Sequence, residues 1–182
     1  MTNPIHRLLQ GMLLLFVGIF SANSLANVLP GNKSSASLPF VENQGQVSNL
    51  DVAFTASTFA GKLFVKKTPA WVYQLVVDRE NTAGKYWAFE ERMLSAQSSL
   101  PQGVNKSSAH IQILKGSSVQ WQTNLAAYET VRYENVYPGI DVELAVTGNN
   151  VEKLFIIEPG AKVSDIKLAI DGVNALALEK IS

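Results

Sequence analysis

Asp141 and Glu143 come closest, by type and spacing, to an arrangement that could do chemistry. They stand two positions apart in a strand-like segment, so both side chains are expected on one face of a sheet. Paired carboxylates can bind Ca²⁺ or flank a glycosidic bond. Either use needs further oxygen ligands or a second carboxylate at a set distance, and the sequence has no Asp-x-Asp-x-Asp-Gly loop. We therefore favour solvated acids on an outer sheet face, with Asp141 bonded to backbone amides beside a Pro-Gly turn.

Histidine and cysteine chemistry has little support in the sequence. His6 lies in an N-terminal segment that we expect to be removed, and His110 stands beside Ser107 and Ser108 without a Gly-x-Ser-x-Gly motif. The chain has no cysteine, which excludes disulfides and thiolate catalysis. Asn32-Lys33-Ser34 lacks the glycine spacing, strand and helix of a phosphate-binding loop. We predict no catalytic, cofactor-binding or metal-binding residues and no cofactor.

The aromatic and amide side chains of the sequence are candidates for ligand binding rather than for catalysis. Trp71, Trp87 and Trp121, together with five tyrosines, can form a platform for sugar stacking, although aromatic residues are also expected in a core of this size. The polar run Asn43-Gln44-Gly45-Gln46 is interpreted as a cap on a strand or turn through side chain-to-backbone bonds, in preference to a ligand site. Carbohydrate binding by exposed aromatics therefore stays an alternative function.

The N-terminus predicts export. Arg7 supplies a positive charge, Met12 to Phe20 is apolar, and Ser24-Leu25-Ala26 has the small residues that signal peptidase reads. The apolar stretch, about nine residues, is shorter than the ~20 needed to span a bilayer. We predict a cleaved signal peptide over 1–26, no transmembrane segment in the mature chain, and a location in the periplasm, at the cell surface or outside the cell. An uncleaved membrane anchor is the alternative.

The charge balance excludes nucleic acid as an expected partner. The chain has 15 basic and 15 acidic residues. Removal of residues 1–26 takes away only one charged group, Arg7, and leaves the mature chain slightly acidic. Nucleic-acid binding requires a basic patch or stripe, which this balance does not provide.

The rest of the chain reads as short β-prone runs separated by turns. After a disordered lead-in over 27–37, we predict a single β-rich domain over 38–182. Asn81 to Gly84 and the Pro-Gly turn at Tyr137 to Ile140 separate strands, and Leu100 to Ser108 is predicted to be a loop. The predicted strands are Val52–Ala56, Leu63–Val65, Trp71–Val77, Tyr86–Met93, His110–Leu114, Tyr128–Tyr133, Val142–Val146, Leu154–Ile157 and Ile166–Ile170.

The spacing of the runs predicts the fold class. The segment Ala88 to Ala96 also fits helical spacing, but we interpret it as a strand because its neighbours are strands. With no long helical period elsewhere, the expected fold is all-β: an antiparallel β-sandwich or barrel-like domain of about ten short strands.

Three ordered motifs suggest a family. They are FVENQGQ at Phe40–Gln46, the string from Trp121 to Asp141 (WQTNLAAYETVRYENVYPGID), and FIIEPGA at Phe155–Ala161. Together the chain resembles, over roughly Leu38 to Leu178, the N-terminal domain of unknown function in large bacterial exported proteins that carry SBBP repeats. The resemblance implies a non-catalytic structural or interaction module, with following repeat domains or envelope proteins as partners. A glycosidase-like enzyme is the least favoured alternative.

The chain departs from the family pattern in places. Ile111 to Ser117 replaces a strand that commonly ends in Gly-Asn-Asp, and Leu144-Ala145-Val146 stands where paired tyrosines are usual. Family members usually continue into repeats, whereas this sequence stops at Ser182. A truncated product, a fragment and a domain that works alone are all open interpretations, and the oligomeric state is not indicated.

Overall fold

A computed structural model describes the chain over residues 15–16, 37–78, 85–114, 116 and 121–177. The predicted signal peptide and the predicted lead-in over 27–37 lie outside the described residues, apart from Leu15–Phe16 and Ser37. The predicted turn over 81–84 also lies outside them.

Short strands and one 3₁₀ helix, Val163–Asp165, account for the regular structure of the described residues. The strands are β1 (Leu15–Phe16), β2 (Phe40–Glu42), β3 (Val52–Thr58), β4 (Gly61–Lys66), β5 (Ala70–Asp78), β6 (Lys85–Met93), β7 (Gln102–Lys106), β8 (Ile111–Ile113), β9 (Gln122–Leu125), β10 (Ala127–Tyr137), β11 (Ile140–Thr147), β12 (Asn150–Ile157) and β13 (Leu168–Asp171).

Within the described ranges, eleven strands form one sheet and β8 pairs with β9 in a second. The large sheet has the order β1-β12-β11-β10-β2-β3-β4-β5-β6-β13, with β7 added to β10. Its pairings are antiparallel except between β1 and β12. The sheet curls until its two halves face each other, so that Trp71 on β5 contacts Tyr133 on β10 with ring centroids 6.4 Å apart. The predicted all-β class is confirmed.

The core lies on the inner face of the curled sheet, where alternate residues of each strand meet. On β11, Val142, Leu144 and Val146 are buried, as their alternation predicts. Each such side chain contributes about 1.5–3 kcal/mol by leaving water. The largest fully buried side chains are those of Trp71, Tyr133, Phe40 and Phe155.

Two tyrosines from the Trp121–Asp141 string join the halves of the sheet through their hydroxyls. The Tyr133 hydroxyl donates to the carbonyl of Lys66 at 2.6 Å and lies 3.2 Å from the carbonyl of Ala70. Tyr137 contacts the carbonyl of Leu94 at 2.7 Å. Both rings are therefore core residues, and their polar atoms are satisfied by backbone groups of the opposite half.

The predicted loop at Leu100–Ser108 is wrong, because this segment contains β7, which pairs with β10. The one glycine of this segment, Gly103, has a packing reason. A Cβ at Gly103 would lie 2.3 Å from the ring of Tyr128 on the neighbouring strand, so only glycine leaves space for that ring. Asn105 adopts a positive φ of 55°, which asparagine tolerates better than most residues.

Several predicted strand boundaries also change. β12 begins at Asn150 rather than Leu154, directly after the turn that closes it onto β11. The ambiguous segment after Ala88 is strand up to Met93 and turns at Leu94. The Pro-Gly turn between β10 and β11 is present, with a φ of +69° at Gly139 that favours glycine. No helix among the described residues is long and apolar enough to cross a membrane.

Candidate functional site

An acidic side chain enters the core from β6. Phe89, Glu91 and Met93 alternate with outward-facing residues, so the strand period places Glu91 on the inner face. Glu91 is buried there, opposite Trp71 on β5 and Ile170 on β13. A buried carboxylate is costly unless it is paired and hydrogen-bonded.

The partner of Glu91 comes from β12 in the other half of the sheet. Val151, Lys153 and Phe155 are the buried positions of this strand, while Glu152 and Leu154 face outward. Lys153 therefore occupies a position that the strand period reserves for core residues. The curl of the sheet brings its amine across the interior to β6.

The resulting buried cluster consists of Glu91, Lys153, Trp71 and Tyr73. Lys153 Nζ lies 2.7 Å from Glu91 Oε2. The same oxygen accepts hydrogen bonds from Trp71 Nε1 at 2.6 Å and from the Tyr73 hydroxyl at 3.2 Å. Lys153 Nζ also lies 6.0 Å from the centroid of the Trp71 ring, within cation–π range. The side chains of Lys153 and Glu91 are only 5% and 6% exposed.

Burial governs the electrostatics of this cluster. Burial raises the pKa of Tyr73 well above its usual value, and the nearby charge of Glu91 raises it further. Burial likewise raises the pKa of Tyr133. Both hydroxyls therefore stay protonated as donors through the neutral range. The cluster can hold two strands together and supply donors to one carboxylate oxygen in an apolar surrounding.

The predicted acidic pair on β11 does not form a shared site. Asp141 and Glu143 lie on the same outer face, as predicted. Asp141 Oδ1 accepts a hydrogen bond from the backbone amide of Asn135 at 2.8 Å, which confirms the predicted role beside the Pro-Gly turn. Glu143 Oε2 is bound by Arg132 through Nε at 2.9 Å and Nη2 at 2.6 Å. Each acid is thus engaged by a different partner.

The histidine and metal candidates are not assembled in the described residues. His110 is exposed between β7 and β8, and Ser107 Oγ accepts a bond from the amide of Ala109 at 3.2 Å. No group of three or more His, Cys, Asp or Glu side chains in the described ranges is placed to hold a metal ion. The Asn32–Ser34 run lies outside those ranges.

The three tryptophans lie in different surroundings. Trp71 is buried, whereas Trp121 is 49% exposed just before β9. Trp87 is half-buried, contacts Phe89 with ring centroids 5.2 Å apart, and donates from Nε1 to the carbonyl of Gly172 at 3.1 Å. The tryptophans therefore do not make one exposed platform, nor are all three buried.

The FVENQGQ motif builds a loop held by its own amide side chains. Asn43 Nδ2 donates to the carbonyls of Val47 (3.1 Å) and Val52 (2.9 Å), and its Oδ1 accepts from the amide of Val47 at 3.1 Å. Gln46 Nε2 donates to the carbonyl of Glu42 at 2.5 Å. These are the side chain-to-backbone bonds predicted for this motif.

A shallow groove runs beside this loop, with a volume of about 250 Å³. Its walls include the exposed side chains of Leu50 and Leu100 together with Pro101. Glu42 and Lys67 supply its charged groups. The groove is open and mixed in character, without a cluster of polar groups converging on one point.

Sequence reasoning missed Glu91 and Lys153. The signal that identifies them is one charged residue at an inward position of an otherwise apolar strand face, with the opposite charge at an equivalent position on another strand. Starting the predicted strand at Leu154 left Lys153 outside it and removed half of that signal.

The fold and the buried cluster together define an all-β domain whose two halves are joined by an ion pair in the core. Residues 40–181 match a family described as a domain of unknown function, DUF7948. This match covers most of the chain, and the chain belongs to that family. The match spans all three motifs but does not itself indicate SBBP repeats. No curated protein and no solved structure matches the chain.

Proposed function

We propose that this DUF7948 domain is a non-catalytic structural and interaction module of an exported bacterial protein of the SBBP-repeat type. One observation carries most of the support: the candidate polar side chains, from the sequence and from the buried cluster, are bound by other groups of the fold. A catalyst needs groups directed at a substrate, whereas a scaffold uses them internally. The internally bound groups are Glu91, Asp141, Glu143 and Asn43.

The edge strand β13 supports the interaction role. In the described part of the chain, β13 pairs only with β6, along Leu168–Asp171. Its other side carries backbone groups that another strand can pair with. Addition of a strand from a following repeat domain or an envelope protein is the mode of docking that fits this edge.

Hydrogen exchange on the mature chain, residues 27–182, tests the docking edge. We expect alternate amides of β13 to exchange rapidly, because they face away from β6. The amides of β11, which has strands on both sides, are the matched control and should be protected. A monomer in which every β13 amide is protected would remove this docking mode.

Export is tested by fractionating bacteria that express the full chain. We expect a product that begins at Asn27 and is found in the periplasm, at the cell surface or in the medium. A Leu14→Arg variant, which interrupts the apolar stretch, should remain unprocessed. A wild-type product that keeps its N-terminus and stays in the cytoplasm would contradict the proposal.

Carbohydrate binding and glycosidase activity are weaker alternatives. Trp121 and Tyr86 are exposed rings, but they belong to different parts of the fold, before β9 and on β6. Asp141 and Glu143 already bind Asn135 and Arg132. Neither alternative has an observation that favours it over the structural role.

A further inference from the structure

The Glu91–Lys153 pair brings a primary amine and a carboxyl group together in the core, where their side chains are almost fully buried. Other described ion pairs, such as Arg92–Asp171, have clearly more exposed side chains. The amine and the carboxyl come from β12 and β6, on opposite halves of the curled sheet. A covalent bond between them would therefore close the sheet across its interior.

We propose that Glu91 and Lys153 form an intramolecular amide cross-link with loss of one water. The ammonium of Lys153 first transfers a proton to Glu91 Oε2, the oxygen that it contacts, and this proton then moves to Oε1, the oxygen that leaves. The neutral Nζ then attacks Cδ of Glu91, the N–Cδ bond forms, and the Cδ–Oε1 bond breaks. Two of the three ammonium protons leave with Oε1 as water, and the third stays on the amide nitrogen. The reaction needs no oxidant, reductant or further reactant.

Burial favours the first step of this reaction. Keeping two charges in an apolar core carries a large desolvation penalty, which proton transfer from Lys153 to Glu91 relieves. The transfer gives an uncharged amine, which is the nucleophilic form. The product amide replaces two buried charges with one neutral polar group.

Trp71 and Tyr73 are placed to stabilise the intermediate. Negative charge develops on Glu91 Oε2 when the amine adds to Cδ. That oxygen already accepts from Trp71 Nε1 at 2.6 Å and from the Tyr73 hydroxyl at 3.2 Å. Donors fixed on the oxygen that gains charge are the arrangement that accelerates acyl transfer. Because burial raises the pKa of Tyr73, its hydroxyl remains a donor at neutral pH.

The strands already hold the two reacting groups in contact, so folding has covered the entropic cost of bringing them together. Lys153 Nζ and Glu91 Oε2 lie 2.7 Å apart. β6 lies between β5 and β13, and β12 pairs with β11 along its whole length. Fixing two reactants in contact greatly raises their effective concentration. The expulsion of water also opposes hydrolysis of the amide once it has formed.

The chain contains its own matched control in Lys66 and Glu90. These residues have the same chemistry and a similar separation, 2.6 Å between Nζ and Oε2. Their side chains are 24% and 25% exposed, and the described contacts of Glu90 include no indole or phenol donor. Burial and donors thus differ while the reacting groups do not.

Mass spectrometry of the folded, purified chain tests the cross-link. We expect the denatured protein to be lighter than its sequence by one water, and a protease digest to contain the Glu91 and Lys153 peptides joined together. The Lys66 and Glu90 peptides should be separate. A Lys153→Met variant should regain the full mass. An unmodified wild-type mass, with separate Glu91 and Lys153 peptides, would overturn the proposal.

The role of the donors is tested by the rate of cross-linking after refolding from inclusion bodies. We expect Tyr73→Phe to slow the reaction by about 10²-fold or more, as loss of one such donor does in acyl transfer. Tyr133→Phe is the control, because Tyr133 is also a buried core tyrosine but bonds backbone carbonyls. Equal slowing in both variants, or in neither, would contradict the assigned role of Tyr73.

Discussion

Glu90 and Glu91 are neighbours on β6, yet they lie in opposite surroundings. Glu90 faces outward and pairs with Lys66 at 2.6 Å, with about a quarter of each side chain exposed. Glu91 faces inward and pairs with Lys153 at 2.7 Å, with almost no exposure. The distances are nearly equal, so distance alone does not decide what a pair contributes. What differs is the water that each carboxylate has lost.

The two pairs therefore fail in different ways when a partner is removed. An outward carboxylate that loses its lysine is solvated again and costs little. An inward carboxylate that loses its lysine stays buried without compensation, although Trp71 and Tyr73 still donate to it. Three predictions test this difference, beginning with the buried pair, where the largest effect is expected, and ending with the exposed pair.

The largest effect is expected from Lys153→Met. This change keeps most of the apolar stem but leaves the Glu91 carboxylate unpaired in the core, and we expect the free energy of unfolding to fall by about 3–5 kcal/mol. The proposed cross-link would make the loss larger. Chemical denaturation at neutral pH, with both proteins at the same concentration, measures it.

A double variant distinguishes the loss of the ion pair from the cost of an unpaired buried Glu91 carboxylate. Lys153→Met combined with Glu91→Leu removes both charges, and we expect it to be more stable than Lys153→Met alone, because apolar replacements of a buried pair are often tolerated. If the single Lys153→Met variant loses less than about 1 kcal/mol, the inner pair behaves like a surface pair and the contrast with Lys66–Glu90 does not hold.

The sequence predicted the strands and their buried faces better than it predicted the two ion pairs. Alternation located the buried face of β11 at Val142, Leu144 and Val146, and the structure confirms it. Local patterns work there because one sheet face is apolar and the other polar. They failed at β7, where Gly103 lies in a strand for the sake of the Tyr128 ring, a contact that only the tertiary fold creates.

The buried cluster was beyond local reasoning for a related reason. Glu91 and Lys153 are 62 residues apart in the sequence, on strands that meet only because the sheet curls. Within its own strand, each is a charged residue at an inward position, but the strand pattern does not show which opposite charge it meets. Asp141 was more accessible to prediction, because its partner, the amide of Asn135, lies across the adjacent turn.

A second prediction concerns alkaline pH and the inner tyrosines Tyr73 and Tyr133. Their pKa values are raised in the folded protein, chiefly by burial. Their contribution to stability is therefore fully present below the unfolded pKa of about 10 and is lost above it, as the unfolded chain releases protons that the folded chain keeps. We expect the free energy of unfolding to fall by about 1.4 kcal/mol per pH unit above 10 for each of them.

Denaturation at several pH values between neutral and strongly alkaline measures this slope. Tyr133→Phe should reduce the slope by the share of one tyrosine, besides lowering stability at neutral pH through its lost hydroxyl contacts with two backbone carbonyls. Tyr86→Phe is the control for loss of an exposed tyrosine hydroxyl, and it should leave the stability at neutral pH nearly unchanged. A slope that Tyr133→Phe leaves unchanged would contradict the raised pKa of Tyr133.

The smallest effect is expected at the outer pair. Lys66→Met should lower the free energy of unfolding by about 0–1 kcal/mol, because Glu90 regains water once its partner is gone. Added salt should reduce the difference between wild type and variant, since exposed pairs are screened, while leaving the Lys153→Met difference largely intact. A loss at Lys66 as large as that at Lys153 would mean that the lysine stem, and not the charge, stabilises this edge of β4. Glu90→Gln, which keeps the shape and removes the charge, distinguishes these two causes.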